Sequence, residues 1–234
     1  MNKHLTQVIA EAGAVFFDLF HTLTGLPSQV APGRETSEIL GVRRKDWSDL
    51  LFNDSDARLR GQLSDPVEII RQLARRLNPG VTDEAIREAV ESRQRRFRQA
   101  LIRISPKNVA TLQSLKHAGK KIALISNADA AEVSAWHESP LAEVFDSTLF
   151  SCDVGFVKPE KEIYEVGLRA LSVRPEETVF VGDGGCQELK GAKEVGLTTV
   201  MTTEIMQHLW PEEIEKRRPF ADFVIDRLEA LAIP

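Results

Sequence analysis

Four groups of polar residues along the chain carry side chains that could transfer a charged group. A carboxylate can act as the nucleophile, a lysine can offset the charge of the transferred group, and further carboxylates can hold a hard divalent cation. The groups are Asp18 to Thr22, Ser126 with Asn127, Lys158 with Pro159, and Gly182 to Glu188. Each group alone has a structural explanation as a turn, a helix cap or a surface residue, so their joint order is what indicates an active site.

Six short apolar runs are the elements that would bring these groups together. They lie at residues 14–17, 121–125, 148–150, 178–181, 198–201 and 222–225. Most are separated by one amphipathic segment of helical length, which predicts an α/β fold with a Rossmann-like parallel sheet core. Ligands of such sheets bind beyond the carboxyl ends of the strands. We therefore expect the four polar groups to meet at one edge of the sheet.

The interval from residue 34 to residue 103 breaks this alternation, because it contains no convincing strand. It is typical of several helices, including one over 65–77 with Ser64 in front of it. A loop over 23–32 would join these helices to the sheet and help to select the substrate. The predicted organisation is a Rossmann-like core of residues 1–24 and 105–234, with an inserted all-helical cap domain over residues 25–104.

Charge is distributed unevenly between the two parts. Residues 34–103 hold 15 Lys and Arg against 12 Asp and Glu, and the rest of the chain holds 15 against 23, which gives net charges of +3 and −8. A positive lid over an acidic base would attract an anionic substrate. The alternative is that the basic residues of the insertion form a solvated helix face, paired in part with Glu91 at i,i+4 spacing. These residues are Arg93, Arg95, Arg96 and Arg98.

The composition is that of an ordinary globular protein. The chain has 234 residues, 42% of them hydrophobic, and a formal charge of −5. Net acidity argues against nucleic-acid binding, and no apolar run approaches the ~18 residues needed to cross a bilayer. Cys152 and Cys186 have no zinc-site spacing and suit a reducing compartment. We expect a cytoplasmic protein that binds a small anionic molecule and no membrane, with its oligomeric state open.

Taken together, the four groups resemble the motifs of the haloacid dehalogenase-like hydrolases, a superfamily that consists largely of phosphatases. The matching residues are, in motif order, Asp18 and Thr22, Ser126, Lys158 with Pro159, and Gly182 with Asp183 and Glu188. Glu188 stands where the family usually has Asp. The resemblance extends over residues 14–225, and the helical insertion looks like the family's cap of the first (C1) type.

The resemblance implies a phosphatase in which Asp18 attacks the phosphoryl group and becomes an aspartyl phosphate. It implies Mg²⁺ as the cofactor, with ligands from the side chains of Asp18, Asp183 and Glu188 and from the backbone carbonyl of Phe20. Lys158 would act beside Asp18 in catalysis by offsetting negative charge. The phosphoryl oxygens would be held by Thr22, Ser126, Lys158 and the backbone amide of Asn127.

Phe20 departs from this pattern, because the phosphatases carry a second Asp at this position. That Asp protonates the leaving oxygen and later activates water, which is work worth about 10²–10⁴-fold in rate. A phenyl ring does neither. Three interpretations follow: a substrate with a good leaving group, another proton donor such as His21, or a loss of turnover. His21 titrates in the useful range, yet a neighbour of an inward-facing strand residue tends to point away.

Three other functions compete with the phosphatase. A dinucleotide-binding Gly-x-Gly-x-x-Gly stretch requires glycine where Gln187 stands, and Asp183 would repel a pyrophosphate. Dehalogenases of the same superfamily use the same nucleophile without metal and carry an aromatic residue at the position of Phe20, but they have no use for Asp183 together with Glu188. The third is a catalytically silent protein that binds phosphate. The retained motif residues favour a Mg²⁺-dependent phosphatase of a small phosphorylated metabolite.

Overall fold

Six parallel strands form one sheet at the centre of the fold. The computed structural model describes residues 3–26, 29 and 32–233. The strands β1 to β6 are Ala14–Phe17, Lys121–Ser126, Ser147–Phe150, Thr178–Gly182, Thr198–Thr202 and Phe223–Ile225. They are arranged in the order β3-β2-β1-β4-β5-β6, and every neighbouring pair is parallel. The predicted α/β fold with a Rossmann-like core is therefore confirmed, with β1 between β2 and β4.

Helices cover both faces of the sheet. Val15 and Phe17 of β1 are buried in one hydrophobic cluster, while Ala14 and Phe16 are buried in another. This division follows the period of two in a strand, which sends successive side chains to opposite faces. Helices Lys3–Glu11 and Pro106–His117 contribute to the first cluster, and helices Lys161–Leu171 and Glu188–Val195 to the second. Four shorter helices are Ala130–Val133, Ser151–Val154, Met206–Leu209 and Pro211–Arg217.

Between β1 and helix Pro106–His117, the described residues form helices joined by turns and loops, and no strand. The helices are Thr36–Ile39, Arg44–Asn53, Asp56–Leu59, Pro66–Leu77 and Asp83–Ile102, which we call the helical insertion. Trp47, Ile70 and Ile86 belong to a hydrophobic cluster of the insertion itself. Where the insertion ends and the core begins stays a prediction. Residues 27, 28, 30 and 31 of the predicted connecting loop lie outside the described residues.

One helix of the insertion begins one residue later than the sequence predicts. The helix over 66–77 is capped by Asp65 and not by Ser64, because Asp65 Oδ1 accepts hydrogen bonds from the amides of Val67 at 2.8 Å and Glu68 at 3.2 Å. Pro66 occupies the first helical position, where its fixed φ fits and its missing N–H costs nothing. Within the described part of the chain, no helix is long and apolar enough to span a membrane.

Candidate active site

Asp18 lies directly after β1 at the carboxyl edge of the sheet. Its amide donates to the Val181 carbonyl at 2.9 Å, which extends the pairing of β1 with β4 by one residue. The side chain is buried, and each carboxylate oxygen accepts a hydrogen bond. Thr22 Oγ1 donates to Oδ2 at 2.9 Å, and Lys158 Nζ donates to Oδ1 at 2.5 Å. The Asp18 carboxylate is therefore held in one orientation.

Lys158 is a fully buried cation between two carboxylates. Its ammonium group donates to Asp18 and to Glu188. Burial disfavours the charged form, but the negative charges of Asp18 and Glu188 outweigh this effect and raise the pKa of Lys158. Burial, together with the charges of Asp18 and Asp183, raises the pKa of Glu188 well above its ordinary range, against the opposing effect of Lys158. The lysine is thus held protonated at the centre of an acidic site.

Three carboxylates converge on one point beside Lys158. Asp18, Asp183 and Glu188 are all buried, and each offers one oxygen that lies within 4.8 Å of the other two. Asp183 follows β4, and its Oδ1 accepts from the Gly185 amide at 2.8 Å. Glu188 begins the helix over 188–195, and its Oε1 accepts from the Gly184 amide at 2.9 Å. The loop after β4 thus positions both carboxylates.

Arg217 is a residue of this site that sequence reasoning missed. It closes helix Pro211–Arg217, and its Nη1 donates to Asp183 Oδ2 at 3.0 Å and to the Asp183 carbonyl at 3.2 Å. No local signal distinguishes it from its basic neighbours Lys216 and Arg218. Only the packing of the helix beyond β5 brings this arginine to the edge of the sheet.

The donor set fits a magnesium ion. Mg²⁺ prefers hard oxygen ligands and is usually held by one or two carboxylates, with water completing its octahedron. Three carboxylates against the two cations Lys158 and Arg217 leave a net charge of −1. Each carboxylate already accepts two hydrogen bonds, but an ionised carboxylate has about four lone-pair sites. Capacity for a metal bond therefore remains on Asp18, Asp183 and Glu188.

Ser126 and Asn127 lie at the end of β2, beside β1. Ser126 is 1% exposed, and its Oγ has no hydrogen-bond partner among the described residues. A buried hydroxyl without a partner costs about 1–3 kcal/mol, so this group is suited to a polar ligand. The Asn127 side chain is already engaged, because it accepts from the Lys158 amide at 2.7 Å and donates to the Lys158 carbonyl at 3.0 Å. Its backbone amide is the part that suits the predicted role in binding substrate.

A close approach between the helix over 188–195 and the loop of Lys158 sets the position of Lys158 in the site. The helix over 188–195 crosses the loop that carries Lys158, and a Cβ atom on Gly191 would lie 2.5 Å from the Pro159 carbonyl oxygen. A Cβ atom on Gly182 would likewise lie 2.1 Å from Glu188 Oε1. Because Gly191 has no side chain, its helix packs directly against the loop that carries Lys158. Because Gly182 has none, the Glu188 carboxylate can lie against the end of β4. Both contacts allow Lys158 and Glu188 to meet.

A cleft of about 680 Å³ opens onto these residues. Asp18, Lys158 and Asp183 line it, and so does His21, which the sequence pattern expects to point away. The strand ends at Phe17 and His21 has a φ of 63°, so strand alternation no longer governs its direction. Its ring meets Trp210 edge to face at 4.9 Å between centroids, and burial lowers its pKa.

Two arginines of the helical insertion reach buried carboxylates that follow β2. Arg58 Nη1 donates to Asp129 Oδ2 at 2.9 Å, and Arg93 donates to Glu132. Arg93 also lies 3.4 Å from Asp129 Oδ2. We call these four residues the interface cluster. The interpretation of Arg93 as part of a solvated face is wrong, because its guanidinium is mostly buried between the insertion and the sheet.

Other arginines of the same helix also pair across elements. Arg96 Nη1 donates to Glu35 at 2.9 Å, and Arg98 donates to Glu138. Arg95 remains exposed. Most of these arginines of the insertion are therefore paired with acidic residues of the chain itself.

Known proteins match the part of the chain that holds the three carboxylates and Lys158. A family model described as a haloacid dehalogenase-like hydrolase matches residues 12–196. A glyceraldehyde 3-phosphate phosphatase from Methanocaldococcus jannaschii is 30% identical over 135 residues, which cover 56% of this chain and 56% of that protein. This chain thus spans about half the length of that relative. A phosphoserine phosphatase from Thermus thermophilus is 27% identical over 179 residues, covering 72% of this chain and 71% of the enzyme.

Solved structures share the fold. The L-2-haloacid dehalogenase from Xanthobacter autotrophicus, with chloropropionic acid covalently bound, superimposes with a TM-score of 0.64 at 21% identity. The match covers 94% of this chain and 96% of that enzyme, so the likeness includes the helical insertion as well as the sheet.

Proposed function

Because the chain belongs to the haloacid dehalogenase-like hydrolase family, we propose that it is a Mg²⁺-dependent phosphatase that acts on a small phosphorylated metabolite. The observation that carries this proposal is the buried set of Asp18, Asp183 and Glu188, with oxygens within 4.8 Å of one another. The three carboxylates outnumber the two cations Lys158 and Arg217 by one, and an excess of buried negative charge is costly unless a further cation is bound. A metal-free reaction at Asp18 alone would give no reason to retain the other two.

Asp18 is the proposed nucleophile. One of its carboxylate oxygens attacks phosphorus, the bond from phosphorus to the leaving oxygen breaks, and the electron pair departs with that oxygen. Water then attacks the phosphorus of the aspartyl phosphate and releases inorganic phosphate and Asp18. Thr22 fixes the orientation of the carboxylate, which places the attacking oxygen before the substrate arrives.

The phosphoryl oxygens would be bound by groups from three loops. Lys158 supplies a buried positive charge, Ser126 supplies its unpartnered hydroxyl, and Asn127 supplies its backbone amide. Donors that are fixed in advance stabilise charge in the transition state without reorganisation. Mg²⁺, held by Asp18, Asp183, Glu188 and the Phe20 carbonyl, would supply further neutralisation of phosphoryl charge when bound.

The test is a screen of small phosphorylated metabolites with Mg²⁺ and with a chelator. We expect phosphate release that needs Mg²⁺ and disappears in Asp18→Asn. Asp226→Asn is the matched control, because Asp226 also follows a strand of this sheet but is exposed and does not line the cleft. Turnover that survives the chelator would contradict the metal assignment, and an active Asp18→Asn variant would contradict the nucleophile.

A metal-independent 2-haloacid dehalogenase is the second candidate. Phe20 favours it, since a displacement that expels halide needs no proton donor at this position. Likeness to a dehalogenase extends to the fold of the whole chain. Halide release from 2-chloropropionate with chelator present, and no release of phosphate from any ester, would replace the phosphatase with this activity.

A further inference from the structure

We propose that the substrate is an aryl phosphate, a monoester in which the phosphoryl group is joined to the oxygen of an aromatic ring. The inference rests on the proposed phosphatase activity and adds the chemical class of its leaving group. Two features of the cleft support it: protein donors hold both oxygens of each buried carboxylate that lines it, and its walls are rich in rings.

The buried carboxylates that line the cleft are all engaged. Besides Asp18 they are Asp183, Glu188 and Glu132. Each accepts a hydrogen bond from a cationic side chain on one oxygen and from a backbone amide on the other. The pairs of donors are Arg217 with Gly185, Lys158 with Gly184, and Arg93 with Asp129. Both oxygens of each carboxylate therefore face donors of the protein, so neither is oriented to donate a proton to a leaving oxygen.

Phe20 follows Asp18 by two residues and lines the same cleft. Its ring meets the ring of Phe97 edge to face at 5.3 Å between centroids. The guanidinium of Arg93 lies 4.7 Å from the centroid of Phe97, and Arg93 is itself bound to Glu132. The two rings are therefore fixed in place by neighbours on both sides of the interface between insertion and sheet.

Aromatic residues are concentrated in this cleft. Phe, Trp and Tyr make up 6% of the chain, yet Phe20, Phe52, Phe97 and Trp210 all line it. Phe20, Phe97 and Trp210 are each partly buried, so their rings are supported by the protein and still contribute to the surface of the cleft. Rings arranged in this way favour a flat aromatic group, because aromatic pairs gain attraction beyond the area that they bury.

The chemistry of the leaving group and the aromatic walls of the cleft both favour an aryl phosphate. Attack by Asp18 on phosphorus breaks the bond to the aryl oxygen, which leaves as a phenolate with the electron pair and takes its proton from solvent. A phenolate is a far weaker base than an alkoxide, so its departure needs little help from an acid. Water then cleaves the aspartyl phosphate and yields inorganic phosphate and one proton.

The test is a plot of log kcat/KM against the pKa of the leaving group for aryl and alkyl phosphates, with Mg²⁺ present. We expect a steep slope. Phenyl phosphate is then compared with hexafluoroisopropyl phosphate, whose alcohol is about as acidic as phenol but carries no ring. We expect the phenyl ester to react faster by roughly 2- to 12-fold, the rate equivalent of one aromatic contact.

Two variants test the contribution of an aromatic wall residue separately from the reaction at phosphorus. Phe97→Leu should reduce the ratio of the phenyl ester rate to the fluoroalkyl ester rate to about one. Phe156→Leu is the control, because Phe156 is a partly exposed ring outside the cleft, and it should change neither rate.

A shallow slope, or equal rates for the two esters, would overturn this proposal and leave the phosphatase standing. A slope that steepens only in His21→Ala would also overturn it, since His21 would then be the acid. No turnover of p-nitrophenyl phosphate, the most reactive ester of the series, would overturn the phosphatase together with it.

Discussion

Substitutions in the interface cluster measure how much the contact between the helical insertion and the sheet contributes to stability. Arg93→Met keeps much of the length of the side chain and removes the charge that faces Asp129 and Glu132. Arg58 then faces two buried carboxylates alone. Removing one partner of a buried ion pair costs about 3–5 kcal/mol. At roughly 2–4 °C per kcal/mol for a chain of this size, the midpoint of thermal unfolding should fall by about 6–20 °C.

The loss should also depend on pH through Glu132. Burial and the charge of Asp129 raise the pKa of Glu132 above its ordinary value of 4.5, against the opposing effect of Arg93 and Arg58. Without Arg93 that pKa rises further. A carboxyl group whose pKa is higher in the folded than in the unfolded protein destabilises the fold as pH rises through that folded-state pKa. The cost of Arg93→Met should therefore be smaller at about pH 5 than at about pH 8.

The assay is thermal unfolding by circular dichroism at both pH values. Arg98→Met is the matched control, because Arg98 lies on the same helix but pairs with Glu138 where the two side chains are 49% and 33% exposed. Exposed pairs contribute little, so its midpoint should hardly move. Adding Glu132→Gln to Arg93→Met should recover stability by removing the uncompensated charge. Equal losses in Arg93→Met and Arg98→Met, or a cost that does not grow with pH, would refute the reasoning.

Four further outcomes are expected. Asp18→Asn should abolish turnover and leave the unfolding curve close to that of the wild type, since the change is nearly isosteric; kinetics and circular dichroism on the same preparation check both. Asp183→Asn should weaken Mg²⁺ binding in calorimetry by at least the about 10–100-fold typical of losing a partner of a metal ligand, and an unchanged affinity would place the metal elsewhere. Phe20→Asp should raise turnover of alkyl phosphates by up to ~10²–10⁴-fold, more than that of aryl phosphates, if the new carboxylate is held as an acid. Exchange of residues 34–103 for another helical cap should change the ranking of substrates in the ester screen while Asp18 stays essential, and an unchanged ranking would count against selection by the insertion.

Much of the fold was accessible from sequence because its signals are local. Apolar runs of strand length, separated by helical segments, predict a parallel sheet, and the polar residues after each run then fall at one edge. Lys158 contacts both Asp18 and Asn127 there for this reason. Asp183 and Glu188 lie at the two ends of one short loop, so their proximity also follows from a short stretch of chain.

Residues brought in by tertiary packing escaped this reasoning. Arg217 reaches Asp183 from a helix 34 residues away, and Arg58 reaches Asp129 across 71 residues. Neither spacing carries a periodic signal. The direction of His21 departs from strand alternation for a different reason: the strand ends at Phe17, and the backbone has turned to a positive φ at His21.

The contact at Gly191 makes the position of Lys158 depend on a residue outside the proposed set of catalytic and binding residues. With 2.5 Å between the position of a Cβ atom there and the Pro159 carbonyl oxygen, even alanine would wedge the helix and the lysine loop apart. Such a wedge would lengthen the contact of Lys158 with Glu188 and pull its charge away from Asp18. We therefore expect the helix over 188–195 to tolerate substitution least at Gly191, although Gly191 takes no part in the chemistry. A random library selected for folding alone would keep variants at Gly191 that a selection for turnover discards.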